Sequence, residues 1–204
     1  MIIRIFLFVT LSLSTFITSE DISIMSYNLD NLFDAKDDIG KDDKAYLPIE
    51  LKNNDDHIKG CLQVRNSKWR NECLFLDWSE AVVQKKISNI SDLLISMGAS
   101  QPDIIAIQEI ENLNVLRMLF AQIEDLGYTD FALIEGEDYR GIDNAIISKY
   151  PIYGARNFKI RFSDSVKVTS TRPIFEVKLG LDNEILRVYV VHFPAPYNSA
   201  SSRI

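Results

Sequence analysis

Hydrophobic positions along this chain switch repeatedly between two spacings. Ile22, Ile24 and Tyr27 alternate with serines and lead to Asn28, the pattern of a strand ending at that asparagine. Val83, Ile87, Ile90, Leu94 and Met97 recur at steps of four and three, one apolar stripe of a helix. That helix is expected to begin near Asp77, with Glu80 completing a variant capping box, and to stop at Gly98. Ile104-Ile105-Ala106-Ile107 is a short continuous apolar run, which suits a strand covered on both faces. Leu116, Leu119, Phe120 and Ile123 mark a second helix ending by Gly127. Strand-like runs follow at Phe131–Ile134, Ala145–Ser148, Ile152–Phe162, Ile174–Leu179 and Ile185–Val191. Helices alternating with strands, then successive strands, predict a layered α/β protein with its helices packed on sheet.

The first twenty positions follow a different rule. A positive start at Met1–Arg4 precedes an apolar stretch, Ile5–Ile17, and small residues at Thr18-Ser19. The stretch is shorter than the roughly 20 apolar residues a membrane span needs. It fits a secretory signal peptide over residues 1–19, with the globular part over 20–204. The other readings are an uncleaved anchor or a buried first strand. The chain is thus expected to be secreted or periplasmic. Its 22 basic and 29 acidic residues give a formal charge of -7. Such a balance argues against a broad basic surface for polyanions, so any nucleic-acid contact must be local.

Export makes the cysteines legible. Cys61 and Cys73 are the only two, 12 positions apart in a polar insertion, and an even count in an exported chain favours a bridge. Closing so short a loop contributes about 3 kcal/mol in the chain-entropy picture. One nearby His57 leaves too few ligands for a closed zinc site. Earlier in the insertion, Asp34, Asp37, Asp38, Asp42 and Asp43 resemble a calcium loop in composition. Their spacing fails the EF-hand pattern because Ile39 holds the required glycine position. A solvated loop is the expectation.

Several polar residues stand at predicted strand ends: Asn28 and Asp30, Glu109, and His192. In layered α/β sheets, ligands bind beyond strand ends. Carboxylate and amide oxygens converging there would suit a hard cation such as Mg²⁺ or Ca²⁺. Each residue also has an ordinary structural reading: Asn28 as a turn cap, Glu109 as a cap for the helix after Asn112, His192 as a satisfied strand-end histidine.

Five segments resemble, in order, the motifs of the endonuclease/exonuclease/phosphatase superfamily, whose fold is deoxyribonuclease-I-like. They are Ser26–Asp30, Asp103–Glu109, Tyr139–Ala145, Ser170–Pro173 and Val190–Pro196. The resemblance implies that Glu109 binds a divalent metal, with Asn28 and Asp30 supporting metal and phosphate. It implies that Arg172 clamps a phosphate oxygen, with Arg140 and Tyr139 also near the phosphate. His192 would donate to the phosphate or protonate the leaving oxygen. The implied cofactor is Mg²⁺, with Ca²⁺ or Mn²⁺ as substitutes.

The family's later Gly-Asp-x-Asn and Ser-Asp-His motifs do not occur here. The chain is therefore expected to be the N-terminal part of a longer enzyme. Its sandwich should be incomplete, with the second sheet largely missing, an apolar face exposed and little catalysis alone. The expected function is an exported Mg²⁺-dependent phosphodiesterase, foremost an endonuclease with nucleic acid as substrate and no stable protein partner. The alternatives are a phospholipid diesterase of sphingomyelinase type, which would take a phospholipid head group, and a catalytically dead binding module.

Overall fold

The computed structural model describes residues 21–161, 172–182 and 184–193. The leader expected over residues 1–19 lies outside them, as do Ser170, Thr171 and the segment after Phe193. Among the described residues, no helix is long and apolar enough to cross a membrane.

Two sheets stack face to face. The first has four strands in the order β1 (Ile24–Leu32), β2 (Ile104–Ile110), β4 (Asp143–Ser148), β3 (Asp130–Leu133). β1 and β2 run parallel, and the other pairings are antiparallel. The second is an antiparallel sheet in the order β5 (Ile152–Phe158), β6 (Ile174–Leu181), β7 (Glu184–Val190).

The continuous apolar run of β2 follows from its position between two cores. Ile105 and Ile107 turn toward the helices α3 (Glu80–Ser96) and α4 (Leu113–Ile123), joining Val83, Ile87, Leu94, Leu116 and Leu119. Ile104 and Ala106 turn the other way, with Ile146 of β4, and meet Phe175, Val177, Leu179, Val188 and Val190 of the second sheet. The period of two along a strand places successive side chains on opposite faces, and here both faces are dry.

The layered α/β sandwich is therefore as expected. It is incomplete, as expected: among the described residues the second sheet supplies three strands, which cover Ile104, Ala106 and Ile146 of the first, so the apolar face is closed there. The outer face of that second sheet is polar at its centre: Glu176 is held by Arg156, by Arg187 at 2.9 Å and by the Tyr189 hydroxyl at 3.0 Å.

Two local expectations change. The cysteine-bearing insertion folds into helices α1 (Asp55–Leu62) and α2 (Ser67–Phe75). They are short and poor in apolar residues, so periodicity hides them. Their starts are readable in retrospect, because Asn54 accepts from His57 N and Asn66 accepts from Lys68 N and Trp69 N. Cys61 and Cys73 are bridged, joining α1 to α2. The His57 ring packs beside them, its Nε2 2.9 Å from the Cys73 carbonyl oxygen. The second change concerns Asp77. It does not cap α3; its Oδ1 accepts from Ile49 N at 3.1 Å, and Ser79 stands at the N-cap.

Candidate active site

The site begins with a break in β-pairing. Gln108 faces Asn144 on β4 and Ile110 faces Asp143, so Glu109 is an extra residue on its strand. On the other edge, Asn28 pairs with Gln108 and Leu32 with Ile110, leaving Leu29, Asp30 and Asn31 to bow outward. Glu109, Asp30 and Asn31 all have positive φ, at 60°, 52° and 63°. Non-glycine residues in this region carry a local conformational cost, and bulges of this kind re-aim side chains near active sites.

Three groups hold the Glu109 carboxylate. Its Oε2 accepts from the Asn31 backbone N–H at 3.1 Å. Its Oε1 lies 3.3 Å from His192 Nε2, just beyond β7. The Asn28 side chain also hydrogen-bonds to it, while Asn28 Oδ1 accepts from Asp30 N at 2.8 Å. The His192 hydrogen bond, opposed by burial and aided by Asn28 and the charge of Arg140, pulls the Glu109 carboxyl down to about 2. Glu109 is thus ionised throughout the neutral range.

Asp30 enters mainly through its backbone. Its side chain is exposed, and its carbonyl accepts from Lys86 Nζ on α3. Lys86 also reaches the Asn31 carbonyl at 3.3 Å and sits 5.3 Å from the Trp78 ring centroid. Burial lowers its pKa, while Asp30 and Glu109 raise it. Lys86 therefore braces the bowed segment from below. Its role is not visible in a helix stripe, where it reads as an ordinary polar-face lysine.

Asp138 organises the arginines. Its Oδ2 pairs with Arg172 Nη1 at 3.1 Å, and its Oδ1 lies 3.8 Å from Arg140 Nε. Arg172 Nη2 also donates to the carbonyl of Phe193, the residue after His192, at 3.4 Å. The Arg172 Nε is buried without a partner among the described residues. Tyr139 projects outward, 60% exposed, and only its backbone carbonyl is engaged, accepting from Asp42 N at 2.8 Å.

One further residue ties the two sheets together at this rim. Asn144 on β4 donates through Nδ2 to the carbonyls of Pro173 at 3.1 Å and Val190 at 3.4 Å. Those residues immediately follow Arg172 and precede His192 by two positions. Asn144 is thus the clasp that holds the backbone beside both Arg172 and His192, although in the sequence it is one residue of a motif with no separate signal.

The structure therefore brings Asn28, Glu109 and His192 into one network, with Arg140 and Arg172 joined to it through Asp138 and Phe193. A hard divalent cation suits this donor set. Glu109 offers an ionised carboxylate, and Asn31 Oδ1 is buried without a partner among the described residues.

Residues 72–202 match the sequence profile of the Endonuclease/Exonuclease/phosphatase family, more than half of the chain. No curated protein matches it. Among solved structures, it is similar to an endonuclease/exonuclease/phosphatase family protein from Leptotrichia buccalis. That likeness has 20% identity and a TM-score of 0.39, covering 54% of this chain and 48% of the other. A beta-hairpin deletion mutant of beta toxin from Staphylococcus aureus matches at 14% identity and TM-score 0.39, covering 83% of this chain and 50% of that one. ANGEL2, a 2',3'-cyclic phosphatase, matches at 15% identity and TM-score 0.41, with 82% and 40% covered. The chain spans half or less of the length of each of these structures.

Proposed function

This chain belongs to the Endonuclease/Exonuclease/phosphatase family, and from that premise we propose that it serves as an exported, Mg²⁺-dependent phosphodiesterase acting on nucleic acid. Members of this family are phosphoester hydrolases that generally use divalent metal ions. The observation that carries the reading is Glu109, a carboxylate held ionised at a bulged strand end, with Asn28 and His192 on it.

In this reading Glu109 holds the metal, aided by Asn28 and Asp30. When bound, Mg²⁺ supplies positive charge to a phosphate whose transition state gains negative charge. The chain's own residues do the rest. Arg172 offers a planar guanidinium with buried donors, suited to clamping a phosphate oxygen by two bonds. Arg140 adds a second cation at the same rim. His192 Nε2 already points to the carboxylate that would hold the metal, so the ring stands where it can donate to a phosphate oxygen or protonate the leaving oxygen. Tyr139, exposed beside Arg140, is placed to meet the substrate's sugar-phosphate backbone. With a net charge of -7, contact with DNA or RNA rests on these few groups, so binding should weaken steeply with salt. Export is supported by the leader pattern and by the Cys61–Cys73 bridge.

The test measures Mn²⁺ and Mg²⁺ binding, and cleavage of plasmid DNA, RNA and sphingomyelin vesicles, by the parent chain and by Glu109→Ala. Divalent-metal binding lost in Glu109→Ala is the expected result, with any cleavage of nucleic acid by this chain alone weak, metal-dependent and abolished by the same change. Absence of divalent binding, or binding untouched by Glu109→Ala, would refute the metal-dependent reading. Cleavage confined to the vesicles would transfer it to a phospholipid head group.

A further inference from the structure

The segment Asp34–Asp43 leaves β1 and folds back over the end of β2. It is only in part the solvated loop its charge run predicts: Lys36, Asp37 and Asp42 are exposed, but Asp34 and Asp43 are buried. The Asp34 amide donates to Glu111 Oε2 at 2.7 Å, and the Asp38 amide donates to Asp43 Oδ2 at 2.8 Å. Asn112 Nδ2 lies 3.3 Å from both Asp34 Oδ2 and Glu111 Oε2, and Asn114 Nδ2 donates to Asp34 Oδ2 at 2.9 Å.

These bonds use one oxygen each of Asp43 and Glu111. The other two, Asp43 Oδ1 and Glu111 Oε1, are buried with no partner among the described residues, on residues 1% and 2% exposed. One carboxylate oxygen from each of Asp38, Asp43 and Glu111 lies within 4.8 Å of the others. Desolvated carboxylates are costly unless positive charge compensates them. Among the described residues, no lysine or arginine forms an ion pair with any of the three. Lys41, in the same loop, turns its ammonium to the carbonyls of Asp138 and Gly136 instead.

The geometry points to a second hard-cation site, of calcium type, built from Asp38, Asp43 and Glu111 and distinct from the Glu109 centre. Calcium–oxygen distances of about 2.3–2.6 Å are compatible with oxygens gathered this closely. Calcium suits it better than magnesium, which demands a near-ideal octahedron and keeps several of its waters, whereas calcium accepts irregular carboxylate sets from a loop. The site does not depend on EF-hand spacing, because one ligand, Glu111, comes from beyond the end of β2 rather than from the loop. Glu111 contacts Asp34 and Asn112, while Glu109 contacts Asn31, Asn28 and His192, so the two carboxylates serve separate networks. An ion here would fasten the loop to the residue two places after Glu109 and so stiffen the bulge.

The test uses the whole chain carrying Glu109→Gln, which removes the other metal centre, stripped with EDTA. Calcium binding is followed by calorimetry and by Tb³⁺ luminescence, and melting is compared in EDTA, Ca²⁺ and Mg²⁺. One saturable Ca²⁺ is expected, with melting raised about 5–10 °C at a hundredfold excess over Kd. Mg²⁺ should give less than half that shift. Asp43→Asn and Asp38→Asn should each weaken Ca²⁺ at least tenfold. Asp38 is only half-buried, so its variant still reports should Asp43→Asn fail to fold. No saturable Ca²⁺ in the Glu109→Gln chain, affinity unchanged by Asp38→Asn, or an equal shift from Mg²⁺ would each overturn the assignment.

Discussion

His192 Nε2 and Glu109 Oε1 approach to 3.3 Å, although one follows the last strand of the second sheet and the other interrupts a central strand of the first. The contact exists because the sheets stack with these strand ends at a common rim, and because Asn144 fixes their spacing from behind. The carboxylate and the ring then set each other's chemistry. Glu109 stays ionised, and the imidazole has one nitrogen on a carboxylate while its Nδ1 is buried without a partner.

Replacing His192 by alanine should separate metal binding from chemistry. Divalent affinity should stay within a few-fold of the parent, since Glu109 remains, while hydrolysis falls about 10²–10⁴-fold. The same change removes the main cause of the depressed Glu109 pKa. In the parent, that depression adds stability that is present above about 4.5 and lost as pH falls toward 2. For this largely buried pair the contribution is on the order of 1–3 kcal/mol. Urea unfolding in EDTA at pH 7 and pH 3 should show a smaller loss on acidification in His192→Ala than in the parent.

Asn144→Ala should cost about 1–3 kcal/mol, because the carbonyls of Pro173 and Val190 are left buried without a donor. The larger effect falls on catalysis, since Arg172 and His192 lose their shared anchor. Asn144→Asp keeps the shape but not the donor, so it should be no better than alanine. Urea midpoints and single-turnover rates measure the two effects separately.

Asp143 gives a pH dependence of opposite sign to Glu109. Burial pushes its carboxyl up to about 7 against an ordinary 3.8, although its Oδ1 accepts from Gly136 N at 2.7 Å. The folded chain therefore holds this proton more tightly than the unfolded chain. That contribution is complete below 3.8 and disappears as pH rises through 7. Asp143→Asn cannot ionise. Its stability relative to the parent should rise by an amount on the order of 2–4 kcal/mol between pH 4 and pH 8, read from denaturant midpoints.

Reduction should release two thiols, Cys61 and Cys73, from a chain that shows none beforehand. Losing a bridge over 12 positions should lower stability by about 3 kcal/mol. The damage should concentrate in α1 and α2, where hydrogen exchange of those amides would rise well before that of β2.

The sequence revealed the parts of this molecule that repeat or alternate. The α3 stripe and the two-sided β2 run are each dictated by burial on known faces, so spacing alone exposes them. Glu109 and His192 were readable as polar residues closing apolar strands. Lys86, Asp138 and Asn144 were not, because they act on backbone carbonyls or on other side chains brought near only by the stacked sheets. The loop at Asp34–Asp43 misled for a related reason: nothing in its charge run shows that Glu111 will face it. Helices α1 and α2 escaped because they are held by asparagine caps and a disulfide rather than by an apolar stripe.

The left-handed backbone at residue 109 sets stability against chemistry at a single Cα. Glycine would adopt φ near 60° without the roughly 1 kcal/mol that glutamate gives up there. A Glu109→Gly chain should consequently unfold at higher denaturant than a Glu109→Ala chain, with both equally unable to hold the metal. Backbone stability alone would favour the smallest residue here, so the carboxylate carries a local cost that only a use for its charge would offset.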